Sequence, residues 1–196
     1  MAEIIEKMEA RVDPRIQRTR QMLTGALERL LQSKSIEEIS VADIAQEATV
    51  NRATFYDHYA DKFHLLQGLV ESQFQGLLIK RNVAFDGSCP MALSAIAIAT
   101  CDYLAELSHV GCPDQRQMEK HFEGAVITVV RGMLLGGFKQ HPPEGTLPPE
   151  LVAAIVTGAI YGGAREWAAN PRLCSADEVA QSIVKLIIPL LVPEGY

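Results

Sequence analysis

The sequence predicts an all-α protein with a three-helix N-terminal head and a larger helical C-terminal domain. Three observations carry this. Apolar residues recur three and four apart along most of the chain, the spacing that gives a helix one oily face. The segments end at helix-start and helix-stop residues, such as Asp13-Pro14 and the proline-rich 141–149. And Ile39–Lys62, ISVADIAQEATVNRATFYDHYADK, reads as two short helices separated by three residues, the outline of a helix-turn-helix.

With 196 residues, 48% of them hydrophobic, the chain can build a sizeable core. Its longest nearly uncharged apolar runs, Met91–Cys101 and Leu151–Ala164, are too short to span a bilayer. The acidic, mixed opening MAEIIEKMEARVD is unlike a signal peptide, so no membrane partner and a cytoplasmic location are expected. The cysteines Cys89, Cys101, Cys112 and Cys174 lack any CxxC pairing and read as structural thiols. The net charge of −6 argues against bulk, nonspecific nucleic-acid binding. It is unevenly spread: residues 11–81 carry ten Lys or Arg against nine Asp or Glu, whereas residues 82–196 carry seven against twelve. A less acidic head on an acidic body fits a DNA-facing N-terminal part.

Residues 1–12 form a lead. In the head, residues 13–60, Asp13 caps a first helix with Pro14 at its first position. That helix runs to about Ser33 and places Ile16, Leu23, Leu27, Leu30 and Leu31 on one face. Arg11, Arg15, Arg18 and Arg20 crowd its opening. Arg15 and Arg18 are candidate phosphate contacts, with a solvated face as the plain alternative. Ser40 and Asp43 form a capping-box-like pair before Val41–Ala48, which is expected to bury Val41, Ile44, Ala45 and Ala48. Thr49-Val50 is the turn, and Asn51 caps Arg52–Tyr59. There Phe55 and Tyr59 should face inward, leaving Arg52, Ala53, Thr54, Tyr56 and His58 outside or at the helix start. Arg52 suits a guanine edge and Thr54 a thymine methyl or a phosphate. Tyr56 and His58 suit phosphates, and Lys62 is placed to clamp the DNA backbone. For Tyr56 the alternative is a half-buried core aromatic.

TFYDHYADKFHLL resembles the tetracycline-repressor-like signature T-[LF]-Y-x-[HY]-F-x-x-K-x-x-L. SVADIAQEATV is similar to that family's T-x-x-x-I-A-x-x-A-G-V. The resemblance covers about residues 13–75. It implies an all-helical homodimer with a DNA-binding head and a divergent ligand-binding and dimerisation domain, residues 61–196. It also implies that Ser40, Arg52, Ala53, Thr54, Tyr56, His58 and Lys62 occupy positions that commonly meet double-stranded operator DNA. Two positions depart: Thr49 stands where the family has its turn glycine, and Tyr59 where it has Phe. The first puts the angle between the two helices in question.

Residues 61–81 form a connecting helix, whose movement in the family transmits ligand binding to the head. Ala84–Pro90 breaks it. Met91–Val110 is a buried helix, and Gln115–Gln140 a long one carrying Gly124, Gly132, Gly136 and Gly137, glycines expected to kink it or leave room inside. A helix from Pro148 or Pro149 to Asn170 bears the small-residue stripe Ala154, Gly158 and Gly162, which suits a close helix crossing. Ser175 and Glu178 cap a last helix bearing Val179, Ile183, Leu186, Ile187 and Leu190. By the resemblance, 149–191 supply a four-helix dimer interface; the alternative is that the stripe packs within one subunit.

An unknown small-molecule effector, mostly apolar, is implied for the C-terminal domain. By type and location Tyr103, Leu107, Phe122, Val126, Met133, Tyr161, Arg165 and Trp167 are candidate lining residues, each with plain core as its alternative. Arg165 suits a carboxylate if it faces inward. His109, Cys112 and His121 lack a fourth ligand, so no metal is expected. No Ser-His-Asp grouping, HExxH or phosphate-binding glycine loop points to catalysis, and no cofactor is implied. The expectation is a DNA-binding transcriptional regulator, a repressor released by its effector, and not an enzyme. The alternative is a related helical ligand-binding or protein-interaction module that no longer binds DNA.

Overall fold

The computed structural model describes residues 13–109 and 115–191, and for 107–109 and 115–121 the backbone alone. The expected lead, 1–12, lies outside the described residues, as do Cys112 and the side chains of His109 and His121. Eight helices are described: α1 Pro14–Leu31, α2 Val41–Glu47, α3 Arg52–His58, α4 Lys62–Lys80, α5 Pro90–His109, α6 Gln115–Phe138, α7 Pro149–Ala169 and α8 Ala176–Leu191. They fall into two compact units. One holds 13–70 with 115–121, the other 71–109 with 122–191. The division falls inside the connecting helix, between Val70 and Glu71.

In the first unit, local chemistry sets nearly every helix start. The Asp13 carboxylate accepts from Arg15 N at 2.9 Å and Pro14 opens α1. Ser40 and Asp43 complete a full capping box: Ser40 N donates to Asp43 Oδ2 at 2.8 Å and Asp43 N to Ser40 Oγ at 3.1 Å. Asn51 Oδ1 accepts from Thr54 N at 2.7 Å, and Asp61 Oδ1 from Phe63 N and His64 N. The core is Leu23, Leu27, Ile36, Ile39, Ile44 and Phe55, all fully buried. Ile16 is not part of it: it is 39% exposed, and the buried residues of α1 begin only at Leu23. Val41 is only half-buried, at the rim of α2.

In the second unit, α5 packs against α7 and α8, and α7 against α8. Asn82 ends α4 in the left-handed conformation at φ 52°, while Val83 N reaches back to Leu78 O, the usual way a helix terminates. In the loop that follows, Phe85 is buried edge-on to Phe138, 5.8 Å between ring centres. The Asp86 carboxylate accepts from Ser88 N and Cys89 N, which holds it below the ordinary carboxylate range. His141 Nδ1 lies 2.9 Å from Asp86 O. Ser175 and Glu178 form the predicted capping box of α8.

The glycines of α6 divide. Gly132 and Gly136 are exposed, and a Cβ on either meets nothing within 4 Å. Gly137 alone is required by packing, because Phe85 and Gly87 press against it.

Candidate nucleic-acid interface

The turn between α2 and α3 closes despite Thr49. Thr49 adopts φ 58°, the left-handed conformation that glycine reaches without penalty. Val50 N still reaches Ala45 O at 2.9 Å, and Thr49 N reaches Gln46 O at 3.0 Å. The backbone has therefore kept the turn and placed the strain in one residue. Val50, only half-buried beneath it, is a partial plug. Outside the turn, Arg29 Nε pairs with Glu47 Oε1 at 2.6 Å and ties α1 to the end of α2.

With the turn fixed, α3 presents two faces. Phe55 is fully buried and Tyr59, its C-cap, nearly so. Arg52, Ala53 and Tyr56 point the other way and are exposed. Tyr56, at 53% exposure, is not a core aromatic; only its ring edge rests on Phe55, 5.4 Å between centres. Thr54 and His58 are half-buried at the flanks. The Thr54 hydroxyl donates to Asn51 Oδ1 at 3.0 Å, which directs its methyl and its remaining lone pairs. Ser40 is exposed, its hydroxyl engaged with Asp43 Oδ2 at 2.7 Å. That hydrogen bond is the main cause holding the Asp43 carboxyl below its ordinary range. Arg15 and Arg18 are exposed on α1.

Lys62 departs from the free phosphate clamp expected of it. Its ammonium donates to Glu37 O and to Ile39 O, both at 3.0 Å, and lies 5.3 Å from the Phe63 ring centre. The family signature marks the position, but nothing in the local sequence shows a partner 25 residues away.

The candidate pocket residues separate by burial. Tyr103 and Tyr161 are buried, as is Val126; Phe122 and Met133 are half-buried. Tyr103 stacks at a tilt on Phe74, 5.2 Å between centres, and its hydroxyl points to Gln73 Oε1 at 3.4 Å. Burial pushes its pKa up, so it stays a neutral phenol. Two candidates are corrected. Arg165 faces outward beside Glu166, since a guanidinium left inside would be an unpaired buried charge. Trp167 is a loop pin: its Nε1 donates to Cys174 O at 2.8 Å. The Leu107 side chain lies outside the described residues. One residue was missed. Thr157, 2% exposed on the inward face of α7, has a hydroxyl with no hydrogen-bond partner among the described residues. Its only sequence signal is a lone hydroxyl four residues before Tyr161 in an apolar helix.

The expected interface residues are also sorted. Ala154 and Gly158 are exposed, Gly162 is half-buried, and a Cβ at either glycine meets nothing within 4 Å. Among the described residues the stripe has no partner within its own subunit. The close crossing of α7 and α8 uses the neighbouring Gly163, where a Cβ would come 2.7 Å from Ile183 Cδ1 and 3.8 Å from Val179 Cγ1. Ile183 and Ile187 are therefore subunit core, whereas Leu186 is 78% exposed. Leu190 and Val179 are half-buried.

Residues 23–69 match the family described as "Bacterial regulatory proteins, tetR family". The uncharacterized HTH-type transcriptional regulator YxbF of Bacillus subtilis (strain 168) is 41% identical over 64 residues, 32% of this chain and 17% of that protein. The dhaKLM operon transcriptional activator DhaS of Lactococcus lactis subsp. lactis (strain IL1403) is 35% identical over 60 residues, 31% of this chain and 32% of that protein. Both likenesses thus span under a third of the relatives' lengths. The crystal structure of the TetR family repressor AlkX from Dietzia sp. strain DQ12-45-1b shares the fold. Its TM-score is 0.56 at 20% identity, over 88% of this chain and 95% of that one. Among the described residues no helix is long and apolar enough to cross a membrane. The head motif and its capped helices make residues 23–69 a DNA-binding head of the kind found in the tetR family of bacterial regulatory proteins.

Proposed function

We propose that the chain is a homodimeric transcriptional repressor that binds double-stranded operator DNA through α3 and is released by a small, mostly apolar effector. The observation that carries the DNA reading is the division of α3. Phe55 and Tyr59 anchor one side, while Arg52, Ala53 and Tyr56 stand exposed on the other, with Thr54 and His58 beside them. Arg52 reads a base edge; Ala53 and the Thr54 methyl meet apolar edges; Ser40, Tyr56 and His58 take phosphates, joined by Arg15 and Arg18 from α1. Two heads in one dimer would enter major grooves about 34–36 Å apart, or a multiple of that.

The exposed small-residue stripe on α7 with Leu186 on α8 supports the dimer, since an apolar face left open by one subunit is what a twin covers. The buried aromatics Tyr103 and Tyr161, Val126 and the unpaired Thr157 hydroxyl support an apolar effector with one polar group. Effector binding then biases the separation of the heads, and operator binding must weaken effector binding by the same factor.

The test is selection of bound duplexes from a random pool, then anisotropy titration at several salt concentrations. Arg52→Ala should cost about 1–3 kcal/mol and relax preference at one base pair, while Tyr56→Ala should weaken all duplexes alike. Full affinity in both variants, or binding indifferent to salt, would sink the reading and favour a helical module that has lost DNA binding. Reporter transcription with and without the operator decides the sign of regulation.

A further inference from the structure

We infer that Lys62 is a positioning residue of the head, a bolt between α4 and the connector before α2, and not a free cation for the DNA backbone. The inference rests on the DNA-binding reading of α3. Lys62 is the first residue of α4, and its ammonium is shared between Glu37 O and Ile39 O at 3.0 Å each. Two of its three donors are thereby spent inside the protein. The side chain is half-buried, with the Phe63 ring 5.3 Å away.

The two carbonyls belong to a short, tightly placed segment. Ile36 and Ile39 are fully buried in the head core. There the chain turns from Ser35 to Glu38, whose carboxylate accepts from Ser35 N at 3.0 Å. This turn lies outside any helix, so its carbonyls lack the ladder partners a helix supplies. The ammonium fills that role for two of them at once, through charge-assisted bonds that are stronger than neutral ones. Ser40, the cap of α2, follows Ile39 directly. Lys62 therefore fixes where α2 begins relative to where α4 begins, and α3 is strung between those points. A phosphate could take only the third donor, unless it drew the ammonium off a carbonyl and left that carbonyl unpaired.

The test compares the wild-type chain with Lys62→Met, which keeps the apolar stem without donors, and Lys62→Arg, which keeps donors. Tyr56→Phe serves as a phosphate-contact control. Thermal unfolding without DNA and anisotropy titration against salt are measured for each. For Lys62→Met we expect a midpoint about 3–6 °C lower without DNA. DNA affinity should fall about ten-fold, and log K against log salt should keep the wild-type slope. Lys62→Arg should recover part of both losses, and it carries the comparison if Lys62→Met does not fold. A slope shallower by about 0.9, the signature of one lost phosphate contact, overturns the inference whatever happens to stability. An unchanged midpoint overturns it too. If the wild-type chain binds no duplex at all, the DNA reading fails by itself. The midpoint of Lys62→Met then still decides whether the bolt exists.

Discussion

The backbones of Gly87 and Gly137 touch. A Cβ on Gly137 would lie 2.7 Å from Gly87 N, and a Cβ on Gly87 would lie 2.7 Å from Gly137 O. Backbone atoms cannot rotate aside, so each glycine is required by the other. Gly137→Ala should lower stability by about 1–3 kcal/mol. Gly87→Ala should cost more, because Gly87 also sits at φ 112°. Gly136→Ala, one residue away and facing open space, should be neutral or stabilising by up to about 1 kcal/mol. Urea unfolding of the three variants checks the signs. Equal effects at 136 and 137 would remove the close approach as their cause.

Thr49 carries a positive φ that a β-branched residue adopts at a penalty. Glycine at this position should relieve the strain and stabilise the head by about 0.5–1 kcal/mol, after its own greater freedom in the unfolded chain is counted. Since the turn hydrogen bonds are already in place, DNA affinity should stay within about two-fold. Denaturation and titration of Thr49→Gly measure both. A large gain in affinity would mean that Thr49 had been distorting the angle between α2 and α3.

The open stripe on α7 gives a separate test of self-association. Gly158→Leu adds volume where, among the described residues, a Cβ meets nothing within 4 Å beyond its own helix backbone. The single subunit should therefore tolerate it, while a close crossing with a twin should not. Sedimentation should show a monomer where the wild-type chain is a dimer, with helix content by circular dichroism unchanged. A dimer of undiminished strength would move the interface off this face.

The capping carboxylates predict a pH dependence. Hydrogen bonds from Ser40 hold Asp43 below the ordinary carboxylate range, and bonds from Ser175 do the same for Glu178. Each group binds its proton less readily folded than unfolded. The stabilisation is thus fully present above the ordinary carboxylate pKa and is lost as pH falls through the lowered, folded value. Asp43→Asn and Glu178→Gln should melt lower than the wild-type chain at pH 7, and the gap should close as the solution is acidified through that window. A gap independent of pH would mean that shape, not charge, makes these caps.

Cys101 and Cys174 should part company in alkylation. Burial, chiefly, pushes the Cys101 thiol up to about 12, whereas Cys174 is exposed. At pH 8 iodoacetamide should modify Cys174 and leave Cys101 intact until the chain unfolds. Equal rates in the folded protein would show that α5 is open to solvent.

The sequence alone determined the helices, their caps and the helix-turn-helix, because those signals are local. Asp13, Asn51 and the Ser40–Asp43 and Ser175–Glu178 pairs act within three residues of where they sit. Phe55 inward follows from helical spacing, whereas the exposure of Tyr56, which the spacing left open against a half-buried core aromatic, was decided by the fold. Tertiary structure decided the rest, because spacing says which residues share a face but not what that face meets. It assigned the α7–α8 crossing to Gly163 and left Gly158 and Gly162 open, although all three are small and near one another. It turned Arg165 outward and made Trp167 a pin on Cys174 O. It sent the Lys62 ammonium to carbonyls 23 and 25 residues back, and His141 to Asp86, 55 residues back. Such partners leave no periodic trace, since they are chosen by the packing that brings distant turns together.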